Sequence, residues 1–144
     1  MNEERVLVEK EKELENQRKE VDLMMQIRRV DQLLYDLTDA FETLQKNEDY
    51  GMSEEEIEVI LAELRHIGEG KDSIMGRVRR DLQNLYKRFY ERYKDQAIIT
   101  IDSDICQGCF VRIPPIKFAR IRTRKSLEFC ESCGRILLWT EEAK

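Results

Sequence analysis

The first 113 residues contain no proline; the only two in the chain, Pro114 and Pro115, stand together late in the sequence. Charged residues make up 38% of the chain. A charge-rich stretch without proline suits a long exposed helix better than a globular core. No run approaches the roughly 20 apolar residues of a membrane span. The opening Met1-Asn-Glu-Glu-Arg-Val6 lacks the apolar stretch of a signal peptide, so a cytoplasmic location is expected. There is one histidine, His66, and no Ser/His/Asp set, Walker loop or glycine-rich nucleotide fingerprint. His66 reads as an ordinary surface or seam residue, and no enzyme is expected.

Cysteine is absent until residue 106 and then occurs four times, as Cys106-Gln-Gly-Cys109 and Cys130-Glu-Ser-Cys133. Two such pairs about twenty residues apart are a zinc-site pattern. Each pair wraps two thiolates around one side of a tetrahedral Zn²⁺. Because all four ligands are cysteine, no coordination position is left for water or substrate, and the single expected zinc is structural. Two disulfides would need an oxidising compartment. A redox pair belongs in a βαβ context that the sequence lacks. Iron held by four thiolates is the closest chemical competitor.

Net charge is −5, unevenly placed: residues 1–96 carry 17 Lys/Arg against 24 Asp/Glu, and residues 97–144 carry 8 against 6. In the first segment Met24, Ile27, Val30, Leu34, Leu37, Phe41 and Leu44 follow steps of three and four, with Leu7, Leu14 and Val21 at sevens before them. That is a heptad seam. Asn47 and Gly51 mark a turn at about 46–53, and Ser53 with Glu56 reads as a capping box. A second helix is expected through Ile57, Ile60, Leu64, Ile67, Ile74, Val78, Leu85 and Phe89. Gly68, Gly70 and Gly76 weaken it locally, each by roughly 1 kcal/mol relative to alanine. Two helices of about 40 residues would reach roughly 60 Å each and pair antiparallel.

After Asp95 the chemistry changes. Ala97–Ile101 and Arg135–Trp139 read as short strands flanking the cysteine pairs. The expected fold is therefore mainly α with a small β zinc ribbon: a long antiparallel coiled-coil hairpin over 1–96, then a Cys₄ ribbon over 97–144. So small and charged a ribbon cannot build a sufficient apolar core, so its folding should depend on metal.

Leu85-Tyr86, Phe89-Tyr90, Ile105-Cys-Gln-Gly-Cys109, Ile113-Pro114 and Cys130-Glu-Ser-Cys-Gly-Arg-Ile-Leu137 resemble the bacterial C4-type zinc-ribbon coiled-coil family. Its members join an N-terminal helical hairpin to a C-terminal zinc ribbon. The resemblance implies zinc ligation by Cys106, Cys109, Cys130 and Cys133. It also implies a role in flagellar or type III secretion regulation, with an RpoN-type sigma factor or RNA as partner. This chain's hairpin is shorter than the family's. The plan is also similar to that of the DksA/TraR group, whose acidic hairpin tip enters the RNA polymerase secondary channel. Asp36, Asp39, Glu48 and Asp49 would carry that alternative.

Partner-binding candidates lie between the cysteine pairs. Arg112, Lys117, Arg120, Arg122, Arg124 and Lys125 form a cationic run without an acid, and Phe110, Phe118 and Trp139 add aromatic surface. The alternation Arg120-Ile-Arg-Thr-Arg124 predicts a strand presenting three arginines on one face, suited to a protein or to phosphates and stacked bases. A second basic run, Arg77 to Lys94, approaches the ribbon along the helix. A homodimer is a further expectation, because so thin a hairpin has little core.

Overall fold

A computed structural model describes residues 2–47, 49–124 and 126–140. Helix α1 spans Asn2–Lys46 and α2 spans Glu54–Met75. Ser53 starts α2: its hydroxyl accepts from the Glu56 N–H at 3.1 Å and donates to the Glu56 carboxylate at 3.3 Å. Three glutamates in the first turn, Glu54 to Glu56, add favourable charge at the positive end of the helix dipole. The two helices pair antiparallel across the turn.

The second helix does not continue to Phe89. It runs unbroken through Gly68 and Gly70 and stops at Gly76, whose N–H donates to the Asp72 carbonyl while the Arg77 N–H donates to that of Ile74. Arg77 and Val78 turn the chain, and a separate helix α3 covers Arg80–Tyr93. The apolar spacing that suggested one rod survives the break because Val78, Leu82 and Tyr86 stay buried on a new axis. A 22-residue α2 reaches roughly 33 Å, about half the roughly 68 Å of the 45-residue α1. The seam expected at Leu7 and Leu14 is consequently unpartnered: they are 60% and 45% exposed, whereas Val21, Met24, Ile27 and Phe41 are buried.

A 3₁₀ turn at Lys94–Gln96 leads into β1, Ile98–Ile101. Helix α4 follows at Pro115–Arg122, then β2 at Glu128–Phe129 and β3 at Ile136–Trp139. The sheet order is β1-β3-β2, with β1 parallel and β2 antiparallel to the central β3. Strand alternation gives the sheet two buried faces. Ile98, Ile136 and Leu138 join Val21, Met24, Ile27, Met75, Val78, Leu82 and Tyr86 in one apolar cluster against the helices. Ile99, Ile101 and Leu137 face the other way, with Ile113, Ile121, Cys106 and Cys130. Each large aliphatic buried there contributes about 1.5–3 kcal/mol.

Across the helices lies one buried polar knot. Asp31, 4% exposed, pairs with Lys71 Nζ at 2.6 Å and accepts a hydrogen bond from the Tyr86 hydroxyl. Lys71 Nζ also sits 4.0 Å from the Tyr90 ring centre. Burial first, then the hydrogen bond to Asp31, pushes the Tyr86 phenol up, so it stays a donor. The knot joins α1, α2 and α3 at one height and fixes their register.

Candidate metal centre and its surface

Each cysteine pair forms a tight loop around its own sulfurs. The Phe110 N–H bonds the Cys106 carbonyl at 2.8 Å, and the Gly134 N–H bonds the Cys130 carbonyl at 2.8 Å. These loops bring the four Sγ atoms within 4.8 Å of one another. Cys106 and Cys133 sulfurs are 3.9 Å apart, and those of Cys109 and Cys130 are 3.5 Å apart. A tetrahedron of thiolates at about 2.3 Å from Zn²⁺ has edges of about 3.8 Å. The sulfurs are too far apart for disulfides, whose bond is about 2.05 Å, and all four cysteines are free. The donor set therefore fits one Zn²⁺ closed off by four thiolates, and the metal is structural.

The thiols differ in acidity. Burial pushes Cys106 up to about 12 and also raises Cys130. Burial acts upward on Cys109 too, but hydrogen bonds from the Val111 N–H and from the neighbouring thiols and Ser132 outweigh it, bringing Cys109 to about 6. Cys109 is thus the thiolate that is ready before metal arrives.

A family profile described as the C4-type zinc ribbon domain matches residues 105–137. That segment is a C4 zinc ribbon. In fold the chain is similar to the HP0958 protein from Helicobacter pylori CCUG 17874, at a TM-score of 0.52 and 18% identity, over 88% of this chain and 78% of that one. It also aligns with CT398 from Chlamydia trachomatis at a TM-score of 0.39 and 19% identity, over 95% and 81% of the two chains. No curated protein matches the sequence.

The ribbon's cations are not on a strand. Pro115 sits at the first position of α4, where its fixed φ suits a helix start, and Arg120 and Arg122 lie in that helix. Ile121 anchors it in the core, and Arg124 follows in a left-handed turn at φ 55°. The polar–apolar alternation mimicked a strand, while Phe118 and Ile121 carry the helical spacing. Arg112 pairs with Asp104 at 3.6 Å and Arg120 with Glu128 at 3.7 Å. Lys117 is a strap: its Nζ donates to the Phe129 carbonyl at 2.8 Å and pairs with Glu131 at 3.4 Å. Lys125 lies outside the described residues.

Trp139 packs edge-on against Phe118, ring centres 5.8 Å apart, with the Arg122 guanidinium 5.9 Å from its ring. Of Phe110, Phe118 and Trp139, the one that faces solvent is Phe110. Of the acids of the DksA-like alternative, Asp49 lies in the turn, its N–H donating to the Asn47 side-chain oxygen at 3.0 Å. Asp36 and Asp39 lie inside α1, about 15 Å and 10 Å short of its end at Lys46, and Glu48 lies outside the described residues. Asp36 accepts from the Gln32 amide at 2.9 Å.

Two residues that the sequence did not single out complete the centre. Arg135, between the last cysteine and β3, is buried beside Cys133. Gly108 lies beneath its guanidinium, where a Cβ would fall 2.4 Å from Nη2. The CxGC spacing hints at a small residue in that position, but only the fold reveals what fills the space.

Proposed function

We propose that this chain is a cytoplasmic, non-catalytic adaptor whose zinc ribbon docks a protein partner through its first cysteine loop. Its setting would be bacterial transcription or flagellar and secretion regulation, as the family resemblance implies. The closed four-thiolate centre supports a structural metal, since a catalytic zinc keeps an open position. Among the described residues no helix is long and apolar enough to cross a membrane.

Phe110 carries the reading. It is 72% exposed and held at φ 64°, a conformation that favours glycine. The equivalent residue of the second loop is Gly134, at φ 78°. Backbone strain of this kind costs about 1–3 kcal/mol and concentrates where a side chain is needed for contact. Ile116, at the start of α4, is also 72% exposed. Arg112, Lys117 and Arg120 already have acidic partners within the ribbon, so the surface favours an apolar protein contact over a phosphate backbone.

Affinity capture from the native cell, with and without nuclease, tests this using wild type, Phe110→Ser and Cys130→Ser. One protein retained after nuclease and lost in both variants is the expected result. Capture abolished by nuclease, or unchanged by Phe110→Ser, would overturn it.

A further inference from the structure

We infer that Arg135 is a positioning residue that ties the zinc centre to the helical stalk, so that metal occupancy sets whether the ribbon is docked. The side chain reaches in two directions at once. Its Nε donates to Cys133 Sγ at 3.5 Å. Its Nη1 donates to the Gln96 carbonyl at 3.3 Å, and the guanidinium lies 4.0 Å from the centre of the Tyr93 ring. Tyr93 ends α3 and Gln96 ends the 3₁₀ turn, so both contacts belong to the stalk.

The residue is 7% exposed. A buried guanidinium is costly unless it is paired and hydrogen-bonded. Among the described residues no carboxylate forms an ion pair with it; its partners are a cysteine sulfur, a carbonyl and a ring. Four thiolates around Zn²⁺ carry a net charge of −2, which supplies the missing counter-charge. Without the metal the four sulfurs are no longer held at one point, so the guanidinium beside Tyr93 loses its fixed partner at Cys133 Sγ, and the junction would lose much of its stability.

The surroundings are shaped for this contact. The absence of a Cβ at Gly108 lets the guanidinium lie over the first cysteine loop. The Arg135 carbonyl accepts from the Cys130 N–H at 2.9 Å, so its backbone is fixed to the second loop. Ile136, immediately after it, is fully buried in the cluster shared with the stalk. A displacement of the cysteine loops is therefore delivered to the stalk interface by adjacent residues. Partners of metal ligands typically change metal affinity 10–100-fold when lost.

The experiment uses the full chain with saturating zinc and reads two quantities. One is the zinc dissociation constant, by competition with a chromophoric chelator. The other is amide hydrogen exchange of residues 92–101, compared with that of 105–112. Arg135→Met should weaken zinc by roughly 10–100-fold. It should also speed exchange at 92–101 toward the rate of chelated wild type while 105–112 stays protected. Arg135→Lys restores charge beside Cys133 without the planar stack, so it should recover zinc affinity but leave the junction fast. In the Co²⁺-substituted protein, Arg135→Met should shift the thiolate-to-metal charge-transfer band, which a purely structural contact would leave in place. Gly108→Ala, which pushes the guanidinium aside while keeping Arg135 and the backbone N–H that bonds Cys106 Sγ at 3.4 Å, should reproduce the fast junction if Arg135→Met does not fold. Wild-type zinc affinity together with wild-type exchange at 92–101 in Arg135→Met, or in Gly108→Ala, would overturn the inference.

Discussion

The stalk and the ribbon are ordered by different means. The stalk has length but little core: along α1 its seam is buried at Val21, Met24, Ile27 and Phe41, and the Asp31–Lys71–Tyr86 knot sets the register of three helices. The ribbon has a two-faced sheet, with one face supplied by the stalk and the other closed over four sulfurs. A helix forms its backbone hydrogen bonds locally and needs a partner only for its apolar stripe. A short sheet of three strands has no such autonomy, so a metal and a neighbouring stalk replace the core it lacks.

Removing the metal breaks this contrast most sharply. Structural zinc contributes about 10–16 kcal/mol in small zinc domains. Cys130→Ser should abolish stoichiometric zinc binding and expose α4 and the sulfur-facing side of the sheet. Far-UV helix signal should remain largely intact, and NMR dispersion from ribbon amides should collapse. A ribbon that kept its dispersion in excess chelator would show that the stalk alone suffices to order it.

The converse test lies in the stalk. Asp31→Ala leaves Lys71 buried without its carboxylate and frees the Tyr86 hydroxyl. Breaking one side of a buried pair costs about 3–5 kcal/mol. Urea unfolding followed by helix signal should show that loss, while zinc stoichiometry at low urea stays at one. Equal losses in both readouts would mean that the two regions unfold as one.

Proton competition separates them again. Zinc binding removes protons from Cys106 and Cys130, whose pKa values burial raises, whereas Cys109 at about 6 is largely ionised at neutral pH. Affinity therefore strengthens as pH rises. With at least these two protons displaced, the dissociation constant should improve at least about 100-fold per pH unit near neutrality. Below about pH 6 Cys109 adds a further proton and steepens the slope. Calorimetry in buffers of different ionisation enthalpy counts these protons. The helical stalk should not respond over the same range.

Much of the plan was legible because it rests on local chemistry. Cysteine spacing announced the metal, Ser53 and Glu56 marked the start of α2, and β-branched runs marked β1 and β3. What escaped depends on packing at long range. Nothing in Val78 or Leu82 distinguishes a continued rod from a new axis, because both bury one face at the same spacing. Arg120 to Arg124 alternate as a strand would, and only the Pro114-Pro115 start and the burial of Ile121 decide for a helix. Asp31 and Arg135 look like ordinary surface charges until the fold closes over them.

The smallest expected effect separates the ribbon's two loops. Gly134 rests against Phe89 of α3 with the backbone freedom its φ of 78° requires, so the second loop is built for packing. Phe110 holds nearly the same conformation with a full side chain in solvent. Phe110→Gly should remove about 1–3 kcal/mol of strain, of which the extra freedom of glycine in the unfolded chain takes back about 0.5–1 kcal/mol. The net result is a ribbon more stable by about 1 kcal/mol, read as slower zinc loss to a chelator. Partner capture should fall in the same variant. Stability and binding moving in opposite directions is the signature of a residue kept for contact; a loss of both would make Phe110 a structural residue instead.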